Sequence, residues 1–262
     1  MSMHFVSIVA VGALVGLVIG LTGEGSGSLL TPLLIIIARM SPAEAVGTSL
    51  AFGFTTKLYG SWSFFRRGLV RLDLVKRLII GGVPGALMGG FIIHYLGLHR
   101  PHFLDVFLLR AIGGILIIVS LLMLLKLVPH RLRPGIERPA FFAGKKFDGL
   151  LVLIGFLVGA VVSTTSIGSG ALVVSALVIL FPLRAGILVG TSVVTGLVLI
   201  AFSSLPYAAM GNIDWRIVLP LVCGSIPAIH FASQLHGRLP RRVPESIIAV
   251  ALMAMGVHII WF

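Results

Sequence analysis

Charge is scarce in this chain: 11% of its 262 residues are charged, and only eight are acidic. Cysteine is scarcer still. The lone Cys223 excludes an internal disulfide and a thiolate cluster, and it is expected to pack as a small apolar residue. His94, His230, His236 and His258 are scattered without metal-ligand spacing, so no metal site is expected. No Ser/His/Asp constellation, Walker-type phosphate loop or catalytic carboxylate pair can be placed, which leaves an enzyme without support and a cofactor without a site. The every-second-residue alternation of barrel strands is absent as well. The first apolar segment lacks the basic start and small-residue cleavage site of a signal peptide, and more apolar segments follow it.

What is present is hydrophobic residue, 58% of the chain, recurring along its whole length with no polar domain between. Roughly 20 apolar residues cross a hydrocarbon core of about 30 Å as helix. The chain therefore reads as an all-α polytopic membrane protein. Ten apolar segments are expected, at 4–22, 29–38, 42–64, 75–96, 103–126, 148–164, 171–181, 186–208, 217–236 and 244–262. The second and seventh are too short to span.

Laid on itself with Gly168 over Gly25, an offset of 143, the chain matches without a gap. Gly25-Ser26-Gly27 falls on Gly168-Ser169-Gly170, Val46-Gly47-Thr48-Ser49 on Val189-Gly190-Thr191-Ser192, Gly81 on Gly224 and Pro84 on Pro227. Such a register marks an internal duplication. Residues 1–126 form the first repeat, 127–147 a basic linker with Pro129, Pro134 and Pro139, and 148–262 the second repeat. An odd number of crossings per five-segment repeat inverts the second relative to the first. Charge fixes the orientation. With the amino terminus outside, the inner loops hold Arg66, Arg67, Arg71, Lys76 and Arg77, then the basic linker, then Arg184, Arg238, Arg241 and Arg242. The outer loops hold Arg39, Arg100 and Arg216. Basic loops of this kind account for most of the net charge of +12, so a nucleic-acid partner is unnecessary.

The organising stretches are Gly23-Glu24-Gly25-Ser26-Gly27-Ser28 and Ser166-Ile167-Gly168-Ser169-Gly170-Ala171, each ahead of a short apolar segment. Ser41-Pro42-Ala43-Glu44 has the form of a capping box and starts the third segment at the outer surface. Counting back along the short helix at ~1.5 Å per residue places its amino terminus about 16 Å deep, near the midplane. Irregular backbone at that depth survives only when buried in protein or lining a wet cavity. Two inverted helix amino termini, each with free N–H groups and partial positive charge, would make an anion-binding centre there. The substrate-binding candidates are Gly25, Ser26, Gly27, Ser28, Thr48, Ser49, Gly168, Ser169, Gly170, Thr191 and Ser192. The hydroxyls of Thr48, Ser49, Thr191 and Ser192 could instead bond back to their own helices. Glu24, whose register partner is Ile167, is the one carboxylate deep in the apolar part; it either carries a coupling proton or is a structural carboxyl bonded to loop amides. Lys57 and Arg110 are expected to snorkel, with a counter-charge role as the alternative.

At Gly23-Glu24-Gly25-Ser26-Gly27 with Pro32, at both Gly-Thr-Ser motifs, and at Gly211-Asn212-Ile213-Asp214-Trp215, the sequence resembles the TauE/SafE sulfite exporter family. The likeness covers nearly the whole chain. It departs from the family's three adjacent glycines, having Ser26 and Ser169 within the loops, and Ser175 stands where the first half has Pro32. The resemblance implies a secondary transporter that exports sulfite or a related sulfur-containing anion across a bacterial inner membrane by alternating access. Two other readings stand beside it: a proton-coupled carrier of a neutral or cationic solute using Glu24, and an accessory membrane subunit that transports nothing itself.

Overall fold

A computed structural model describes residues 2–22, 26–127, 145–181, 183–235 and 242–261. Those residues form ten helices: α1 (Ser2–Thr22), α2 (Ser26–Ile36), α3 (Pro42–Arg66), α4 (Leu72–His99), α5 (Pro101–Leu127), α6 (Lys145–Thr165), α7 (Ala171–Leu180), α8 (Ala185–Ala209), α9 (Trp215–Leu235) and α10 (Arg242–Trp261). The all-helical architecture is as the apolar segments predict. The linker expected over 127–147 falls almost wholly outside the described residues.

Local chemistry sets the helix ends where it is strongest. Ser41 accepts from the Glu44 amide at 3.3 Å and the Glu44 carboxylate reaches back to the Ser41 amide at 3.4 Å, with Pro42 opening α3. This is the capping box the sequence predicts. The boundary of α2 differs from expectation. It begins at Ser26, so Ser26, Gly27 and Ser28 form its first turn instead of a loop, whereas α7 begins at Ala171 as expected. The residue before α7, Gly170, is its N-cap and supplies no side-chain cap.

Among the described residues five helices, α4, α5, α6, α8 and α9, contain stretches long and apolar enough to cross a membrane. α3 is long enough but not apolar enough, because Thr48, Ser49, Thr56, Lys57 and Ser61 lie along it, all buried. It is central: α2, α8 and α9 all pack on it. A helix that meets protein on most sides can carry polar groups that lipid would not accept.

Packing recurs in exchanged pairs across the 143 offset. α4 lies on α6 as α9 lies on α1, while α5 meets α10 and α3 meets α8. The match holds at single atoms. A Cβ added at Gly81 would lie 1.8 Å from the Val152 carbonyl oxygen, and one at Gly224, its register partner, would lie 2.1 Å from that of Val9, the register partner of Val152. Small residues that let helix backbones touch in this way replace the hydrophobic drive that lipid does not supply.

Candidate functional site

The two glycine stretches meet. Ser166, which ends α6 in a left-handed conformation (φ 58°), turns the chain so that its carbonyl faces Gly27: a Cβ at position 27 would lie 2.0 Å from that oxygen. The Ser166 hydroxyl donates to Ser49 on α3 at 3.2 Å and also pairs with Thr31 on α2. Gly168 (φ 91°) continues the turn towards Ser169, Gly170 and α7. Ser28, Thr31, Ser49, Thr165, Ser166 and Ser169 are all buried. The result is a seam of hydroxyls and irregular backbone between α2, α3 and the start of α7.

Of the candidates named from sequence, Gly27, Ser28, Gly168, Ser169 and Gly170 lie in the buried part of these stretches, and Ser49 is buried against them on α3. Glu24 and Gly25 lie outside the described residues, as does the side chain of Ser26. Ser192 bonds back to the Val189 carbonyl at 2.8 Å, the second of the two possibilities the sequence leaves open.

Thr48 and Thr191 are occupied elsewhere. The Thr48 hydroxyl accepts from the Asp214 amide at 3.1 Å, and the Thr191 hydroxyl accepts from the Arg71 amide at 3.1 Å, the same contact displaced by 143 at both ends. Beside them, a Cβ at Gly47 would lie 2.1 Å from the Asn212 carbonyl oxygen and one at Gly190 2.2 Å from that of Leu69. Each Gly-Thr pair therefore clamps the turn that leaves the opposite half's third helix, where Gly68 (φ 66°) and Gly211 (φ 73°) reverse the chain. Replacing either threonine with valine removes the acceptor and leaves a half-buried amide unpaired, at a cost of about 1–3 kcal/mol. The two single variants should lower the unfolding temperature in detergent by similar amounts, and unequal shifts would contradict the paired geometry.

Thr31 is not among the residues the sequence singles out, and Lys57 enters there only through its alternative counter-charge role. Thr31 reaches the seam from the second turn of α2. Lys57, expected to snorkel, does not: it is 8% exposed, and nine residues, or about 13 Å of helix, separate it from the end of α3 at Arg66. Its Nζ would lie 3.2 Å from a Cβ at Gly196 and 3.7 Å from one at Gly170. The ammonium group thus sits against the second glycine stretch, beside the Ser169 carbonyl, which is 2.5 Å from the same Gly196 position. The signal was available: Ser49, Gly53, Lys57 and Ser61 recur every four residues on one face of α3, and all are buried. Arg110 is exposed on α5, as snorkelling requires.

Among the described residues no group of three histidine, cysteine or acidic side chains could hold a metal ion. A separate apolar cavity of about 360 Å³ lies between α1, α2 and α9, lined by Leu33, Ile37, Ile217 and their neighbours, away from the seam.

A family model described as the sulfite exporter TauE/SafE matches residues 8–259. The chain belongs to the TauE/SafE family. Within reach of that family match are curated relatives from Bacillus subtilis (strain 168). One, named "Probable membrane transporter protein YjnA", is 34% identical over 256 residues, covering 97% of this chain and 99% of the relative. A second, "Probable membrane transporter protein YunE", is 25% identical over 275 residues, covering 99% and 98%. No solved structure matches the chain. This TauE/SafE member is a multi-pass membrane transporter of a small molecule, and the hydroxyl-lined seam is its candidate substrate site.

Proposed function

We propose that this chain exports sulfite, or a related small sulfur-containing anion, across a bacterial inner membrane by alternating access, with the anion held at the seam between α2 and the second glycine stretch. The observation that carries this reading is the meeting of Gly27 with the Ser166 carbonyl beneath a cluster of buried hydroxyls. The irregular, glycine-rich backbone ahead of α7 and the first turn of α2 are buried there, and hydroxyls and amides are the donors an oxyanion needs. The family description, sulfite exporter, supports the sulfur chemistry and the outward direction of this reading.

In this reading the halves are inverted, so that α2 and α7 start near the midplane from opposite surfaces, and rocking of one half on the other exposes the seam to each side in turn. Without an ATP-binding motif, an ion gradient or the substrate's own gradient drives the movement. Glu24 is proposed as the carrier of a coupling proton.

Two measurements test it. Purified protein in liposomes should release preloaded sulfite faster than empty liposomes and be competed by sulfonates; a flux no greater than in empty liposomes ends the sulfite reading. Inversion is tested in a Cys223→Ser background, since Cys223 is exposed. Cysteines at the exposed positions Arg67 and Arg216, which flank register-related turns, should react with an impermeant maleimide from opposite sides. Labelling of both from one side rules inversion out.

A further inference from the structure

The cavity between α1, α2 and α9 lies where the two halves differ in sequence. Its lining residues Ile8, Ala38, Ile217 and Leu221 correspond, across the 143 offset, to Leu151, Phe181, Leu74 and Leu78. Those three leucines are buried, and Phe181 packs against the core cluster that contains them. Around the cavity, alanine stands in place of phenylalanine, and Ile8 and Ile217 are left half-buried beside about 360 Å³ of space. Charge changes at the same place. Arg39 follows Ala38 and corresponds to Pro182; Arg216 precedes Ile217 and corresponds to Asp73, which is ion-paired with Arg71 at 2.6 Å. Arg39 and Arg216 are exposed, and among the described residues neither is in an ion pair. Asp214 takes the Arg216 backbone amide, at 2.9 Å. Trp215, 57% exposed beside Arg216, has the placement of an aromatic residue at a membrane interface. Cavity and cations thus occur together at one end of the bundle, and their register partners replace them together.

We propose that this cavity binds an anionic phospholipid, with part of an acyl chain between α1, α2 and α9 and the phosphate on Arg39 and Arg216. Apart from Ser7 the described lining residues are apolar, and Ile37, which lines the cavity, is 64% exposed, so the space opens on the flank of the bundle that lipid covers. A hydrocarbon chain needs no hydrogen-bonding partner there, and it restores the dispersion contacts that an empty space denies its lining. A helix, from another protein or from a second copy, fits poorly. At about 10 Å across and ~1.5 Å per residue it occupies roughly 120 Å³ per residue, so the space takes less than one turn. Guanidinium forks match phosphate oxygens, and two unpaired positive charges at the mouth favour a headgroup of net negative charge over a zwitterionic one. The site is separate from the seam and does not depend on which anion the chain transports.

The test is titration of the detergent-purified full chain with phosphatidylglycerol and, separately, with phosphatidylcholine of the same acyl chains, read by native mass spectrometry. Wild type is compared with the double variant Arg39→Gln/Arg216→Gln and with Ala38→Phe, which installs the residue of the register-related position. Wild type is expected to bind phosphatidylglycerol at least about tenfold more tightly than phosphatidylcholine. The double variant should bring the two lipids within about threefold of each other, and Ala38→Phe should weaken both by about tenfold. All three positions are exposed, so the variants are expected to keep the wild-type size-exclusion profile. Equal affinity of wild type for the two lipids overturns the proposal, and so does a phosphatidylglycerol preference that survives the double variant. Lipid binding unchanged by a folded Ala38→Phe overturns it as well; if that variant also converts a dimer to a monomer, the cavity belongs to a second copy of the chain. Should Ala38→Phe fail to fold, the double variant alone decides.

Discussion

Alanine at position 27 is expected to destabilise the fold and stop transport, while alanine at the register-related position 170 leaves a folded protein. The two glycines occupy the same place in the repeat, yet their surroundings differ. The Gly27 Cβ would stand 2.0 Å from the Ser166 carbonyl oxygen and 2.9 Å from its carbon, both backbone atoms that cannot swing aside. α2 would have to retreat from α6, breaking the contact between Thr31 and Ser166 and opening the seam. Overpacking of this kind costs about 1–3 kcal/mol, and here it also displaces the hydroxyls proposed to meet the anion. At Gly170 the nearest atom is Lys57 Nζ at 3.7 Å, an ordinary contact, and φ is −111°, which any residue adopts. Thermal unfolding of the purified variants and uptake into liposomes check both halves of this expectation. Gly27→Ala with wild-type stability and flux would mean that the two stretches do not touch.

That difference between matched positions marks where the sequence stops being informative. Helix existence, the start of α3 at its capping box and the 143 offset all follow from patterns within a few residues or from direct repetition, and they hold to within a residue or two. The start of α2 does not follow, because glycine and serine are poor helix formers and nothing in their local pattern sets where the helix begins; in the structure Gly27 is in the first turn, packed against the Ser166 carbonyl. Nor does the division of labour between Thr48 and Ser49. Adjacent residues point about 100° apart around a helix, so one faces the turn at Asp214 and the other the seam at Ser166. Sequence alone cannot say which. The burial of Lys57 is hard to read for a different reason. Its neighbours Leu58, Tyr59 and Trp62 are exposed, lipid-like residues, and they hide the polar stripe running behind them. The polar residues Ser49, Lys57 and Ser61, spaced along one face of α3, are the clue that this face meets protein.

The repeat makes a second, equally large prediction, this time of equal outcomes. Gly81→Ala and Gly224→Ala should each prevent the folded protein from accumulating in the membrane. A Cβ at position 81 meets the Val152 oxygen at 1.8 Å and the Phe156 amide nitrogen at 3.0 Å; one at 224 meets the Val9 oxygen at 2.1 Å and the Ala13 amide nitrogen at 3.0 Å. These are backbone atoms of α6 and α1, so relief requires prising apart the α4–α6 or the α9–α1 pair along much of its length. Neighbouring close approaches, Gly85 to the Phe156 oxygen at 2.1 Å and Gly12 to the Leu221 oxygen at 2.4 Å, would be lost with it. Without water to drive apolar association inside a bilayer, such close contacts are a main source of helix adhesion. Gly68→Ala and Gly211→Ala provide the comparison. Nothing lies within 4 Å of a Cβ at either, so each bears only the strain of a left-handed turn residue, about 1 kcal/mol. Folded yield after detergent extraction, measured by size-exclusion profile, should therefore collapse for the 81 and 224 variants together and persist for the 68 and 211 variants together. A collapse at 81 with normal yield at 224 would show that the two helix pairs are not packed alike, and the duplication would then describe the sequence without describing the structure.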